Sequence, residues 1–64
     1  MFKLRFLRYG TPLHHTYRTF KEAARFAVSV IEENSAVPTE IRKGDSVVWR
    51  YKDGPDLLYQ TVQS

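Results

Sequence analysis

Phe2, Leu4 and Phe6 alternate with Lys3, Arg5 and Leu7 at the start of the chain. Successive side chains of an extended backbone leave on opposite sides, so this period of two predicts a strand of about seven residues with one apolar side. Tyr9-Gly10-Thr11-Pro12 then interrupts the alternation with turn chemistry. Glycine admits positive φ, and proline fixes its own. A second strand is predicted over Leu13–Arg18, with Leu13, His15 and Tyr17 on one side. The two strands are expected to pair as a hairpin, the shortest connection between antiparallel neighbours.

From Thr19 the period changes. Phe20, Ala23, Ala24, Ala27, Val28 and Ile31 recur at spacings of three and four, and Phe26 and Val30 widen the stripe. Lys21, Glu22, Arg25, Ser29 and Glu32 occupy the opposite side, which is the pattern of an amphipathic helix. Thr19 is placed to accept from a free N–H of the first turn, and Glu22 completes a Thr-x-x-Glu capping box. The three alanines let the helix lie close against a sheet. Asn34-Ser35 is a stop signal, and Pro38 forbids continuation.

Short β segments follow. Thr39–Lys43 reads as a strand, Lys43-Gly44-Asp45-Ser46 as a tight hairpin turn, and Val47–Tyr51 as the strongest run of β-formers in the chain. Asp53-Gly54-Pro55 turns again, and Leu57–Val62 is expected to be a fifth strand. The expected fold is α+β, one domain over residues 1–64. It is an antiparallel sheet of four or five strands with one amphipathic helix packed on one face, β-β-α-β-β-(β). The other face of the sheet is left open.

At 64 residues without cysteine, neither a disulfide nor a thiolate metal site contributes, and burial of apolar surface must hold the fold. Four Phe, four Tyr and one Trp supply large side chains for that purpose. The apolar run Phe26–Ile31, broken by Ser29, is far short of the roughly 20 residues of a membrane span. The first residues lack the continuous apolar middle of a signal peptide. A cytoplasmic protein with no membrane partner is expected.

Charge is distributed unevenly. Residues 1–31 carry six Lys and Arg against Glu22 alone, whereas residues 32–64 carry four against six acids. Such asymmetry marks either an electrostatic face for an anionic partner or counter-charges that meet within the fold.

Catalytic chemistry finds little footing. His14 and His15 are adjacent, so on a strand they point to opposite faces and do not chelate one metal. Neither a Gly-x-Ser-x-Gly elbow nor a glycine-rich phosphate loop is present. A non-enzyme is expected, with no cofactor, no metal and no small-molecule substrate. Two binding readings remain. Lys3, Arg5, Arg8, Arg18 and Arg50 would make a basic sheet face for nucleic acid, neutralising phosphates. Tyr9, Tyr17, Trp49, Tyr51 and Tyr59 are the rings available to stack on bases. The same cations also read as a merely solvated face. The alternative is a protein-interaction module, self-associating as a homodimer or binding another protein. It would use the open sheet face around Trp49, Tyr51 and Tyr59, or a sheet edge. Trp49 lies in the most apolar strand and reads also as core.

Arg18-Thr19-Phe20-Lys21-Glu22-Ala23-Ala24-Arg25-Phe26-Ala27, after a short hairpin, resembles the strand-to-helix entry of two kinds of small domain. One is the arm-type DNA-binding domain of phage integrases. The other is a set of small bacterial and phage domains of uncharacterised function with two strands, a helix and two more strands. The first resemblance implies DNA binding and the second the β-β-α-β-β order. Pro38 to Val62 is similar to the second kind. The integrase domains usually place three strands before the helix, where this chain has two. Neither resemblance supplies site residues.

Overall fold

A computed structural model describes residues 1–64. Strands β1 (Phe2–Arg8) and β2 (Thr11–Tyr17) form the expected hairpin. Its two-residue loop holds Tyr9 at φ 52° and Gly10 at φ 79°. Two consecutive positive φ angles are the type I′ arrangement, whose twist matches that of paired strands. The turn is therefore tighter than Tyr9–Pro12, and Thr11 and Pro12 already belong to β2. Proline is tolerated there because β2 pairs only with β1, leaving its other side without a ladder.

Helix α1 (Phe20–Glu33) keeps both expected ends. The Glu22 amide donates to Thr19 Oγ1 at 3.1 Å. At the other end Asn34 takes φ 58°, its N–H donates to the Ile31 carbonyl, and Ser35 N–H donates to that of Val30, both at 3.1 Å. This is a Schellman closure with asparagine in the left-handed position. The helix carries the chain across β1 to β3 (Val37–Lys43), which joins β1 on the side away from β2. Strand β4 (Ser46–Arg50) then completes an antiparallel sheet in the order β2-β1-β3-β4.

Two irregularities aim the β3 and β4 side chains. Arg5 pairs with Glu40 and Phe6 with Pro38, so Thr39 is an extra residue in β3. Its hydroxyl donates to the Arg5 carbonyl at 3.1 Å. Ile41 pairs with Trp49 and Arg42 with Val47, so Val48 bulges out of β4.

The expected fifth strand is a helix. After a single 3₁₀ turn at Tyr51–Asp53, Leu57–Val62 lies within α2 (Asp56–Gln63). A strand would have mixed apolar and polar residues on both sides. A helix instead gathers Leu58, Tyr59 and Val62 on one side, and these pack into the core against α1. Asp56 sits in the first helical turn, where an acid is favoured by the dipole.

Both helices lie on one face of the sheet. The core joins Leu4 and Phe6 of β1, Ile41 of β3 and Trp49 of β4 to Ala23, Ala24, Ala27 and Val28 of α1 and to Leu58 of α2. No polar or charged residue is buried. Phe26 extends the packing toward β2, where its ring meets those of Phe6, His15 and Tyr17 at centroid distances of 5.4–6.1 Å. No helix is long and apolar enough to cross a membrane.

Candidate nucleic-acid interface

With Phe2, Leu4 and Phe6 turned to the helices, alternation sends Lys3, Arg5 and Leu7 to the open face. Register then identifies their neighbours. Lys3 stands between Thr16 of β2 and Arg42 of β3, and Arg5 between His14 and Glu40. Arg50 of β4 lies opposite Glu40. Four cations, Lys3, Arg5, Arg42 and Arg50, thus share one face with a single central acid. The Glu40 carboxylate accepts from Arg42 Nε and lies 4.0 Å from Arg5 Nε. Both guanidinium groups stay substantially open to solvent, whereas Glu40 is the more covered partner.

Lys3, Arg5, Thr16 and Arg42 line a shallow depression of about 370 Å³, rimmed by Gly44 and Asp45. A second hollow of about 280 Å³ adjoins it, formed around Arg5, Leu7, Pro12, His14 and Thr39. The first is concave, cationic and supplied with a threonine hydroxyl. Its cations and hydroxyl are groups of the kind that hold phosphate oxygens, with the Asp45 carboxylate at the rim.

The structure separates the five cations expected to act together. Lys3, Arg5 and Arg50 share the open face. Arg8 does not, since it follows Leu4 and Phe6 onto the helix side, where its guanidinium carbon sits 5.7 Å from the Phe6 ring centroid. Arg18 lies beyond the end of β2 in the connection to α1, outside the four-cation group. Arg42 was missed. Ile41 as an inward residue already implies an outward Arg42, but only the strand order brings it beside Lys3.

The rings are also redistributed. Trp49 is 2% exposed and belongs to the core, with its indole N–H donating to the Gly54 carbonyl at 2.9 Å. Tyr59 packs against that core from α2. Tyr51 is exposed in the 3₁₀ turn, and Tyr9 in the hairpin loop. Trp49, Tyr51 and Tyr59 therefore do not form a patch on the open sheet face. Trp49 faces inward because it pairs with Ile41, itself fully buried. The open face carries cations, Glu40, His14 and Thr16 together with Leu7, Pro12 and Val47, and no Phe, Tyr or Trp. Trp49 and Tyr51 instead border an apolar groove of about 450 Å³ with Ile31, Val37, Pro38 and Pro55.

His14 and His15 point to opposite faces, as adjacent strand residues must. His15 stacks on Phe6 at 5.5 Å, while His14 lines the open-face hollow beside Arg5. Comparisons with family models, with curated proteins and with solved structures found no match.

Proposed function

We propose that this chain is a small, non-catalytic, cytoplasmic binding module whose open sheet face engages the phosphate backbone of a nucleic acid. The observation that carries this reading is the grouping of Lys3, Arg5, Arg42 and Arg50 on one uncovered face of a sheet whose other face is filled by two helices. Phosphate contact rather than base stacking is the mode this face suits, because it is cationic and carries no Phe, Tyr or Trp. The resemblance of Arg18–Ala27 to arm-type DNA-binding domains points the same way. Glu40 has a definite part in this reading. It binds Arg42, lies beside Arg5 and partly neutralises both, keeping affinity modest.

Binding to a mixed-sequence DNA duplex and to an RNA single strand, followed by amide NMR across a salt series, tests the proposal. For three or four phosphate contacts on a duplex, log K is expected to fall with log salt with a slope of about −3 to −4. Arg5→Ala with Arg42→Ala should flatten that slope by about 2, and Glu40→Gln should tighten binding. Affinity indifferent to salt, or unchanged in the double variant, would overturn the reading.

A second reading, association with another copy of the chain, is favoured by one observation: the strand at the β2 edge of the sheet is exposed from Thr11 to Thr16 and carries no charged residue.

A further inference from the structure

We infer that β2 is a self-pairing edge, through which two copies of this chain join their sheets antiparallel about a twofold axis at His14. This deepens the second reading above and stands apart from nucleic-acid binding.

The hairpin register determines which backbone groups of β2 are free. With a two-residue loop, the closing pair Arg8 and Thr11 exchange both of their backbone hydrogen bonds, and so does every second pair after it: Phe6 with Leu13, Leu4 with His15, Phe2 with Tyr17. The peptide groups of Pro12, His14 and Thr16 therefore point away from β1, and no other strand lies on that side. Pro12 has no N–H to offer. What remains outward is two donors, at His14 and Thr16, and three acceptors, at Pro12, His14 and Thr16.

That pattern is self-complementary. Centred on His14, antiparallel pairing overlaps all seven residues of the strand. The His14 N–H of each copy then donates to the His14 carbonyl of the other. The Thr16 N–H of each copy donates to the Pro12 carbonyl of the other. All four outward donors of the pair are satisfied, and the missing proline N–H leaves no orphan donor. The side chains agree. Leu13, 41% exposed in the single chain, comes opposite His15 on the helix side, and Pro12 comes opposite Thr16 on the open side. No Lys, Arg, Asp or Glu occurs between Thr11 and Tyr17, so pairing the strand with itself brings no like charges of fixed sign together.

The other edge is built differently. Strand β4 has five residues, a bulge at Val48 and a charge at Arg50, which are the features that discourage edge-to-edge pairing. β2 has only Pro12, and its missing N–H falls where this register does not need it. One strand pair with its flanking side chains lies at the small end of specific interfaces, so the dimer is expected to be concentration-dependent. It would place the cations of both open faces on one continuous eight-stranded sheet.

Sedimentation equilibrium on the intact chain, from micromolar to millimolar concentration, tests this together with three variants whose fold is checked by amide NMR. Thr16→Pro removes an outward donor without touching the β1 ladder, and His14→Lys sets two ammonium groups opposite one another. Each is expected to weaken the dimer by about ten-fold or more, while Val48→Lys on the far edge leaves it unchanged. Under mild oxidation His14→Cys is expected to cross-link copy to copy, since a hydrogen-bonded strand pair sets Cα atoms about 5.5 Å apart, within disulfide reach. Ser46→Cys on the far edge is not. A chain monomeric at every concentration overturns both the edge and self-association as a whole. A dimer that survives Thr16→Pro and His14→Lys, with no His14→Cys cross-link, overturns the edge and leaves the second reading standing on some other surface.

Discussion

The indole of Trp49 fills the core between β4 and the helices, and its one polar atom donates to the Gly54 carbonyl. That bond ties the 51–55 connection down at a point where Gly54 has φ 82°, a conformation that glycine takes without strain. Trp49→Phe keeps most of the apolar contact and loses the bond, so it is expected to lower stability by about 1–3 kcal/mol. Trp49→Ala is expected to lower it by about 3–5 kcal/mol, enough to unfold much of so small a domain. Urea denaturation measures both. Tyr17 offers a pH test on the same scale. Burial raises its phenol above the ordinary value, so the unfolded chain ionises first. The contribution of its neutral form is complete below the unfolded pKa of about 10 and is lost as pH rises through the folded pKa. Relative to Tyr17→Phe, the wild type is therefore expected to lose stability on the alkaline side, read as a widening gap between their urea midpoints above about pH 10. Thr19 was legible from its spacing to Glu22 alone, because a capping bond spans three residues and needs no tertiary partner.

Among the elements, α1 is the one that local chemistry defines at both ends. Thr19 caps its start, Asn34 closes it, and the apolar stripe between them is the buried stripe. The first hairpin was nearly as legible: β2 runs Thr11–Tyr17 rather than Leu13–Arg18, and the shift of Thr11-Pro12 from turn to strand follows from β2 being an edge. Leu57–Val62 was read with the wrong period. Six residues containing four large apolar side chains fit strand and helix alike, and Pro55 with Asp56 was the available helix-start signal. What decides for α2 is the apolar surface left beside α1, against which Leu58 is fully buried and Tyr59 and Val62 partly so. Leu58→Ala is expected to lower stability by about 2–5 kcal/mol. If α2 is integral to the fold, the loss will appear as a single cooperative transition with lowered amide protection in α1 as well, measured by hydrogen exchange.

On the scale of the whole molecule, the proposed interface exists only because β3 lies beside β1. Lys3 and Arg5 could be assigned to one side of β1 by alternation, but Arg42 and Arg50 join them through pairings that span most of the chain. The Thr39 bulge then sets Glu40 among them. Glu40→Gln is accordingly the most diagnostic single change, with tighter nucleic-acid binding expected at unchanged fold, measured by a titration at fixed salt. The β-β-α-β-β order, α1 and its caps, and the inward side of β1 were determined by the sequence alone. Each depends on spacings of two to four residues or on a single local bond. Strand order, the two bulges, the helical state of α2 and the inward burial of Trp49 were decided by tertiary structure. Those depend on which distant surfaces cover one another, and local periodicity carries no information about that.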